Sequence, residues 1–96
     1  MLEPHIRGTL DNIIDKWLQA LPDRIRSARK KGTWAPQVQN EIDYTLGYSH
    51  GAVKAGFIVA FTSTYNIFPN DEVMEEVDWI LFNRTPQFKD AILKSG

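Results

Sequence analysis

Residues 44–70 read YTLGYSHGAVKAGFIVAFTSTYNIFPN, and Lys54 is the only charged side chain among them. Apolar side chains recur at helical spacing in this stretch and just before it; they are Val38, Ile42, Leu46, Val53, Phe57, Ala60 and Phe61, with a gap at Ser49. Gly47, Gly51 and Ala55 recur every four residues, so they share a face that another helix can approach closely. The sequence predicts one long central helix over about residues 36–66, kinked near the two glycines; two helices joined there are the alternative.

Apolar stripes on both sides of this segment predict further helices. Upstream, a stripe from Ile6 to Leu21 indicates a helix that ends before Pro22, and a short helix follows up to Lys31, with Gly32 as its stop. Downstream, Asn70 is a plausible N-cap for a helix with Val73, Val77, Ile80 and Leu81 inward and with Met74, Trp79 and Phe82 flanking them. Thr85 and Pro86 are predicted as the cap and first residue of a short last helix, with Phe88, Ile92 and Leu93 inward. The sum is a single all-α domain over 1–96, a compact bundle of four to five helices.

Composition excludes several classes of protein. The 96 residues are 43% hydrophobic and 24% charged, as in an ordinary globular protein. The net charge of −1 gives no overall basic excess that would indicate binding to nucleic acid or membranes, and the absence of cysteine excludes disulfides and thiolate chemistry. Because we find no apolar run long enough to span a membrane and no targeting signal, we expect a cytoplasmic protein.

Catalytic and metal-binding patterns are missing from the sequence. His5 and His50 have no ligand partner at helical spacing, and no histidine follows Glu72, Glu75 or Glu76 at the spacing of di-iron sites. Ser49 and His50 are adjacent, so on a helix they point about 100° apart. We therefore predict no enzyme activity, no metal and no cofactor. An enzyme or ligand carrier with a polar pocket near Tyr48 and His50 ranks last.

Charge is segregated along the chain. Five of the 11 basic residues lie between Arg24 and Lys31, with no acidic residue among them, and five of the 12 acidic residues lie between Asp71 and Asp78. Patches of one sign are unfavourable unless they are paired or used. The predicted partner-binding residues are Arg24, Arg26, Arg29, Lys30, Lys31 and Trp34 on the basic side, and Glu72, Glu75, Glu76 and Asp78 on the acidic side.

The leading hypothesis is a small non-catalytic helical binding protein. It would act by protein–protein interaction, as an adaptor, an inhibitor or a regulatory subunit, because charge complementarity steers association and sets orientation. Self-association through the small-residue face, to a homodimer or larger homo-oligomer, is a further expectation.

The alternative is a regulator that binds DNA or RNA. The basic segment 24–31 would neutralise phosphates. Residues 46–53 resemble the turn and early recognition helix of repressor-type helix-turn-helix domains, in a degenerate motif over 43–56. The motif departs from the pattern at Asp43, where a small residue normally packs, and at Gly56, where a large aliphatic is usual. The resemblance implies nucleic-acid contacts from Tyr48, Ser49, His50 and Lys54.

Overall fold

Four α-helices make up the fold. The computed structural model describes residues 2–32 and 39–96. Helix α1 spans Pro4–Lys31, α2 spans Glu41–Tyr65, α3 spans Asp71–Asn83 and α4 spans Thr85–Leu93. Within the described ranges there is no strand, and the prediction of a compact all-α bundle is confirmed with four helices.

The two long helices run antiparallel. At one end of the pair, the Tyr65 hydroxyl donates a hydrogen bond to Glu3 Oε2 over 2.5 Å. At the other end, the Arg29 guanidinium forms an ion pair with Glu41. The bundle is elongated, with a longest extent of 40 Å, because the 28 residues of α1 alone span about 40 Å at 1.5 Å per step.

Helices α3 and α4 follow one another along the third side of the bundle, in the direction of α1. Val73 lies near Leu2 and Ile6, at the start of α1. Arg84, between the two helices, pairs with Asp15 over 2.6 Å. The chain after α4 reaches the end of α1, where Arg26 donates a hydrogen bond to the backbone carbonyl of Lys94.

All four helices contribute to one core. Its apolar members in the helices are Ile6, Leu10, Ile14, Leu21 and Ile25 from α1, Val53, Phe57 and Phe61 from α2, Val77, Ile80 and Leu81 from α3, and Phe88, Ala91 and Ile92 from α4. The inward positions predicted for α3 and α4 are therefore confirmed at Val77, Ile80, Leu81, Phe88 and Ile92, and Val73 is half-buried. The predicted inward position of Leu93 is wrong: it is the last residue of α4, about 100° round the helix from the buried Ile92, and is 66% exposed.

Helix α1 continues through Pro22, so the predicted break between Leu21 and Pro22 is wrong. Pro22 has no N–H group, so one hydrogen bond of the helix is missing. The side chains of Leu21 and Ile25 are nonetheless both buried, because the apolar stripe keeps its helical spacing on both sides of the proline. Burial of this stripe outweighs the lost bond. Gly32, in the left-handed region with φ 66°, ends the helix as predicted.

Helix α2 is uninterrupted, which excludes two helices joined near Gly47 and Gly51. It begins later than predicted: Asn40 is the N-cap and accepts a hydrogen bond from the backbone N–H of Asp43, while residues 36–38 lie outside the described ranges. The helix-turn-helix interpretation of 43–56 is also wrong, since these residues form one continuous stretch of helix with no turn at Gly47.

The buried face of α2 agrees with the predicted apolar stripe at Val53, Phe57 and Phe61, and it differs near the start of the helix, where Ile42 is exposed. Every fourth residue is buried, starting with two polar side chains; the series is Thr45, Ser49, Val53, Phe57 and Phe61. The face of Gly47, Gly51 and Ala55 points to solvent, and a Cβ atom at either glycine would meet no other atom. Because apolar residues lie on more than one side of the first half of α2, that half does not reveal from its own pattern which side is inward.

The starts of α3 and α4 follow local chemistry. Asn70 caps α3 as predicted, and its side chain accepts a 2.9 Å hydrogen bond from the N–H of Val73. In α4, Arg84 occupies the cap position instead of Thr85, whose hydroxyl donates to the Leu81 carbonyl over 3.2 Å. Pro86 lies in the first turn, where its missing N–H costs no helical hydrogen bond.

We expect Ser49→Ala to raise the free energy of unfolding by about 1–2 kcal/mol. The Ser49 hydroxyl is buried with no hydrogen-bond partner in the described structure, so folding removes it from water without compensation. Urea denaturation measures the change. The matched control is Ser63→Ala, an exposed serine of the same helix, which changes helix propensity alone. Equal gains from the two variants would contradict the buried-hydroxyl explanation.

Candidate functional site

Helix α3 carries all four acidic residues predicted to bind a partner. Glu72 and Glu75 are exposed, and no described cation lies within ion-pair distance of either carboxylate. Asp78 forms an ion pair with Lys54 of α2 over 2.8 Å. Glu76 is half-buried, and its side chain already takes part in an interaction within the chain. The structure thus leaves Glu72 and Glu75 as the two predicted carboxylates that a partner can neutralise.

Two large aromatic side chains of α3 point to solvent. Trp79 is 65% exposed and Phe82 is 73% exposed, and they lie one turn apart on the side opposite the buried Val77 and Ile80. Both flank the predicted inward stripe, and neither is among the predicted partner-binding residues. Helix geometry alone predicts their exposure. At 100° per residue, Val77, Ile80 and Leu81 occupy the inward side of the helix, which leaves Trp79 and Phe82 on the opposite side.

We call the surface formed by Glu72, Glu75, Trp79 and Phe82 the α3 outer face. Its carboxylates lie in the N-terminal half of the helix and its aromatic rings in the C-terminal half. Trp79 lies seven positions after Glu72, and Phe82 lies seven positions after Glu75, which corresponds to about 10 Å along the axis. Glu72 lies in the first turn, where it also stabilises the helix dipole, whereas Glu75 lies one turn further on.

The five predicted cations of α1 do not form one patch. At 100° per residue, Arg24 and Lys31 lie on one side of the helix, and Arg26, Arg29 and Lys30 lie on the other. Lys30 and Lys31 are exposed. Trp34, the remaining predicted residue on the basic side, lies outside the described residues.

The three arginines of this segment already have partners within the chain. The Arg24 guanidinium lies over the Trp17 ring, 4.9 Å from its centroid. Arg26 pairs with Asp23. Arg29 pairs with Glu41 and donates hydrogen bonds to the backbone carbonyls of Ser95, over 3.2 Å, and of Gly96, over 3.0 Å. The hydrogen bond to Glu41 raises the pKa of Arg29. Arg29 therefore joins the start of α2 and the end of the chain to α1.

The residues proposed for nucleic-acid contact are only partly available. Ser49 is buried and faces the core, so a nucleic acid cannot reach it in the folded chain. Lys54 is paired with Asp78. Tyr48 is half-exposed and stacks on Tyr44 with ring centroids 6.4 Å apart. His50 is half-buried, with its ring edge-on to Phe88 at 5.1 Å.

A small cavity between α1 and α2 bears on the ligand-carrier hypothesis. Its volume is about 180 Å³, and Trp17, Arg24, Tyr44 and Tyr48 are among its lining residues. This is smaller than the ~300–1,000 Å³ of typical ligand sites. His50 is not among the residues that line it, so the structure does not join Tyr48 and His50 in one pocket.

The described residues hold no group of three or more side chains that suits a metal ion. In the same part of the chain, no helix combines the length and the apolar character needed to cross a membrane. Comparisons with protein-family models, with curated proteins and with solved structures found no match to this chain.

Burial is the main cause that lowers the pKa of His50; nearby Asp78 opposes this shift and Lys54 adds to it. The folded chain therefore favours the neutral imidazole, while the unfolded chain binds a proton near pH ~6.5. Consequently the unfolded state binds more protons as the pH falls below about 7, and the free energy of unfolding decreases there.

We expect His50→Gln to weaken this pH dependence. Urea denaturation at pH values of about 7.5 and 5.5 gives the loss of stability for each protein, and the loss should be smaller in His50→Gln than in the wild type. The control is His5→Gln, because His5 is an exposed histidine in the first turns of α1. A loss in His50→Gln as large as that of the wild type would contradict the assignment.

We expect Arg29→Ala to lower the free energy of unfolding by about 1–3 kcal/mol, since it removes one ion pair and two hydrogen bonds that join three parts of the chain. Thermal or urea denaturation measures this. The control is Lys30→Ala, the neighbouring exposed cation, with an expected change within about 0.5 kcal/mol. Equal effects of the two variants would show that Arg29 has no special structural role.

Proposed function

We propose that this chain is a small non-catalytic helical binding protein that docks on another protein through the α3 outer face. The observation that carries the proposal is the exposure of Trp79 and Phe82 on adjacent turns. Large aromatic side chains dominate the binding energy of protein interfaces, and they are unfavourable on a surface that stays in water. Adaptor, inhibitor and regulatory subunit are the roles that fit such a protein.

The charge of the α3 outer face favours a protein partner over nucleic acid. Glu72 and Glu75 would repel phosphates, and they attract a cationic protein surface. A nucleic-acid binder would need its cations on one surface, yet those of α1 lie on two sides of the helix and three of them have partners within the chain. These observations rank the protein–protein hypothesis first and the nucleic-acid alternative second.

Location and oligomeric state belong to the same proposal. We place the protein in the cytoplasm, where a partner with accessible cations is available. We also propose self-association through the solvent face of α2, because Gly47, Gly51 and Ala55 are open there and the helix carries only one cation between residues 44 and 65. This surface is separate from the α3 outer face, so a homo-oligomer and a second partner can coexist.

We expect the double variant Trp79→Ala/Phe82→Ala to lose its partner. Tagged wild-type protein and the variant are used to capture partners from a native lysate, and the affinity for the recovered, purified partner is then measured by calorimetry. The variant should bind at least about tenfold more weakly. Truncation of an aromatic side chain that dominates a protein interface costs on the order of 2 kcal/mol of binding free energy. Helical circular dichroism should stay unchanged, since both rings are outside the core.

The matched control is Val59→Ala, which truncates an equally exposed apolar side chain, 67% accessible, on α2. It should retain the partner. Equal binding by the double variant and the wild type would refute docking through this face. Retention on heparin with a steep salt dependence would support the nucleic-acid alternative instead.

A further inference from the structure

The α3 outer face is divided into an acidic half and an aromatic half. From this division we infer that its partner is an amphipathic helix with lysine or arginine toward one end and large apolar side chains toward the other. The inference rests on the proposed function, and it adds the chemistry and the shape of the partner.

The first step concerns charge. Glu72 and Glu75 lie one turn apart, both are exposed, and no described cation neutralises them. Glu76, the next carboxylate along the helix, is half-buried and engaged in an interaction, and Asp78 after it forms an ion pair with Lys54. The uncompensated negative charge of the α3 outer face is therefore confined to its N-terminal half. The cations of the inferred partner would lie opposite that half.

The second step concerns the apolar contact. Trp79 and Phe82 present two rings on the C-terminal half, about 10 Å along the axis from the two carboxylates. A partner that covers both halves needs its apolar anchors about two helical turns away from its cations. Helices that pack side by side interdigitate such side chains along their length.

The third step concerns the backbone. Helix α3 satisfies its own N–H and C=O groups, and its outer face offers no strand edge to which an extended segment could add. A bound segment must satisfy its own backbone hydrogen bonds, which a helix does. The recognition mode is therefore contact between side chains of two helices.

A second copy of this chain does not match the requirement. The exposed lysines of α1 are Lys16, Lys30 and Lys31, and no large apolar side chain of that helix is exposed in its described part. Helix α4 and the residue after it expose Lys89, Lys94 and Leu93, but Leu93 lies within about one turn of both lysines rather than two turns away. The occupant is therefore a different protein segment.

The test uses synthetic helical peptides of about 18 residues, a length at which an isolated helix begins to be stable. The first peptide has lysine on the contact face of one half and leucine on that of the other, with alanine elsewhere. The second has the same composition with lysine and leucine interspersed. The third replaces every lysine of the first by glutamate. Calorimetry gives Kd for the full chain, and ¹⁵N chemical-shift changes locate the contact.

We expect the segregated peptide to bind at least about tenfold more tightly than the interspersed one, with shift changes centred on residues 71–83. The glutamate peptide should not bind, because like charges then face Glu72 and Glu75. Trp79→Ala/Phe82→Ala should weaken binding of the segregated peptide at least about tenfold.

The carboxylates are tested by Glu72→Gln/Glu75→Gln and by Glu75→Gln alone, which leaves the first turn of α3 intact. Both should weaken binding several-fold at low ionic strength, and the difference from wild type should vanish near about 1 M salt, where the Debye length is only about 3 Å. Asp43→Asn, an exposed carboxylate change on α2, and Val59→Ala should leave Kd unchanged.

Three results would overturn the inference: equal affinity for the segregated and interspersed peptides, unchanged Kd in the Glu75→Gln variant, or a wild-type dimer in sedimentation equilibrium that Trp79→Ala/Phe82→Ala dissociates. The proposed function has its own outcome. A lysate partner that requires Trp79 and Phe82 but presents no cationic helix would preserve docking through this face and refute the partner chemistry.

Discussion

The structure depends on burial of the apolar stripe of α1 against the inner face of α2. Ile6, Leu10, Ile14, Leu21 and Ile25 extend over most of α1 and are almost completely removed from water. Each such side chain contributes about 1.5–3 kcal/mol relative to an exposed one. Their sum exceeds the local cost of Pro22 in the helix interior, which is why α1 continues where a proline would usually end it.

The position of α3 follows from that pair. The groove beside α1 and α2 must be covered, and α3 covers the part near the start of α1 with Val77, Ile80 and Leu81. Once these residues are inward, helical geometry places Trp79 and Phe82 outward. The core thus accounts for the inner arc of α3 and leaves its outer arc, with two aromatic rings, in solvent, which is the feature on which the proposed docking function rests.

The charged residues divide in a similar way between structure and surface. Arg29 and Arg84 hold separate elements together through Glu41 and Asp15, and Arg26 contacts the chain after α4. A run of cations in a sequence therefore overstates the charge that is available to a partner. On α3, Glu72 and Glu75 have no described cation to neutralise them, so they remain accessible, as do Lys30 and Lys31 on α1.

The sequence by itself determined the all-α class, most inward residues of α3 and α4, the cap at Asn70 and the stop at Gly32, because these depend on helical period and on local backbone chemistry. Only the tertiary structure decided the continuity of α1 through Pro22, the exposure of Leu93, the inward face of the first half of α2 and the partners of the arginines. Apolar residues lie on more than one side of that half of α2, and its neighbours selected the side with Thr45 and Ser49. Contacts between residues far apart in the chain are set by packing, and packing is not encoded in any single local stretch.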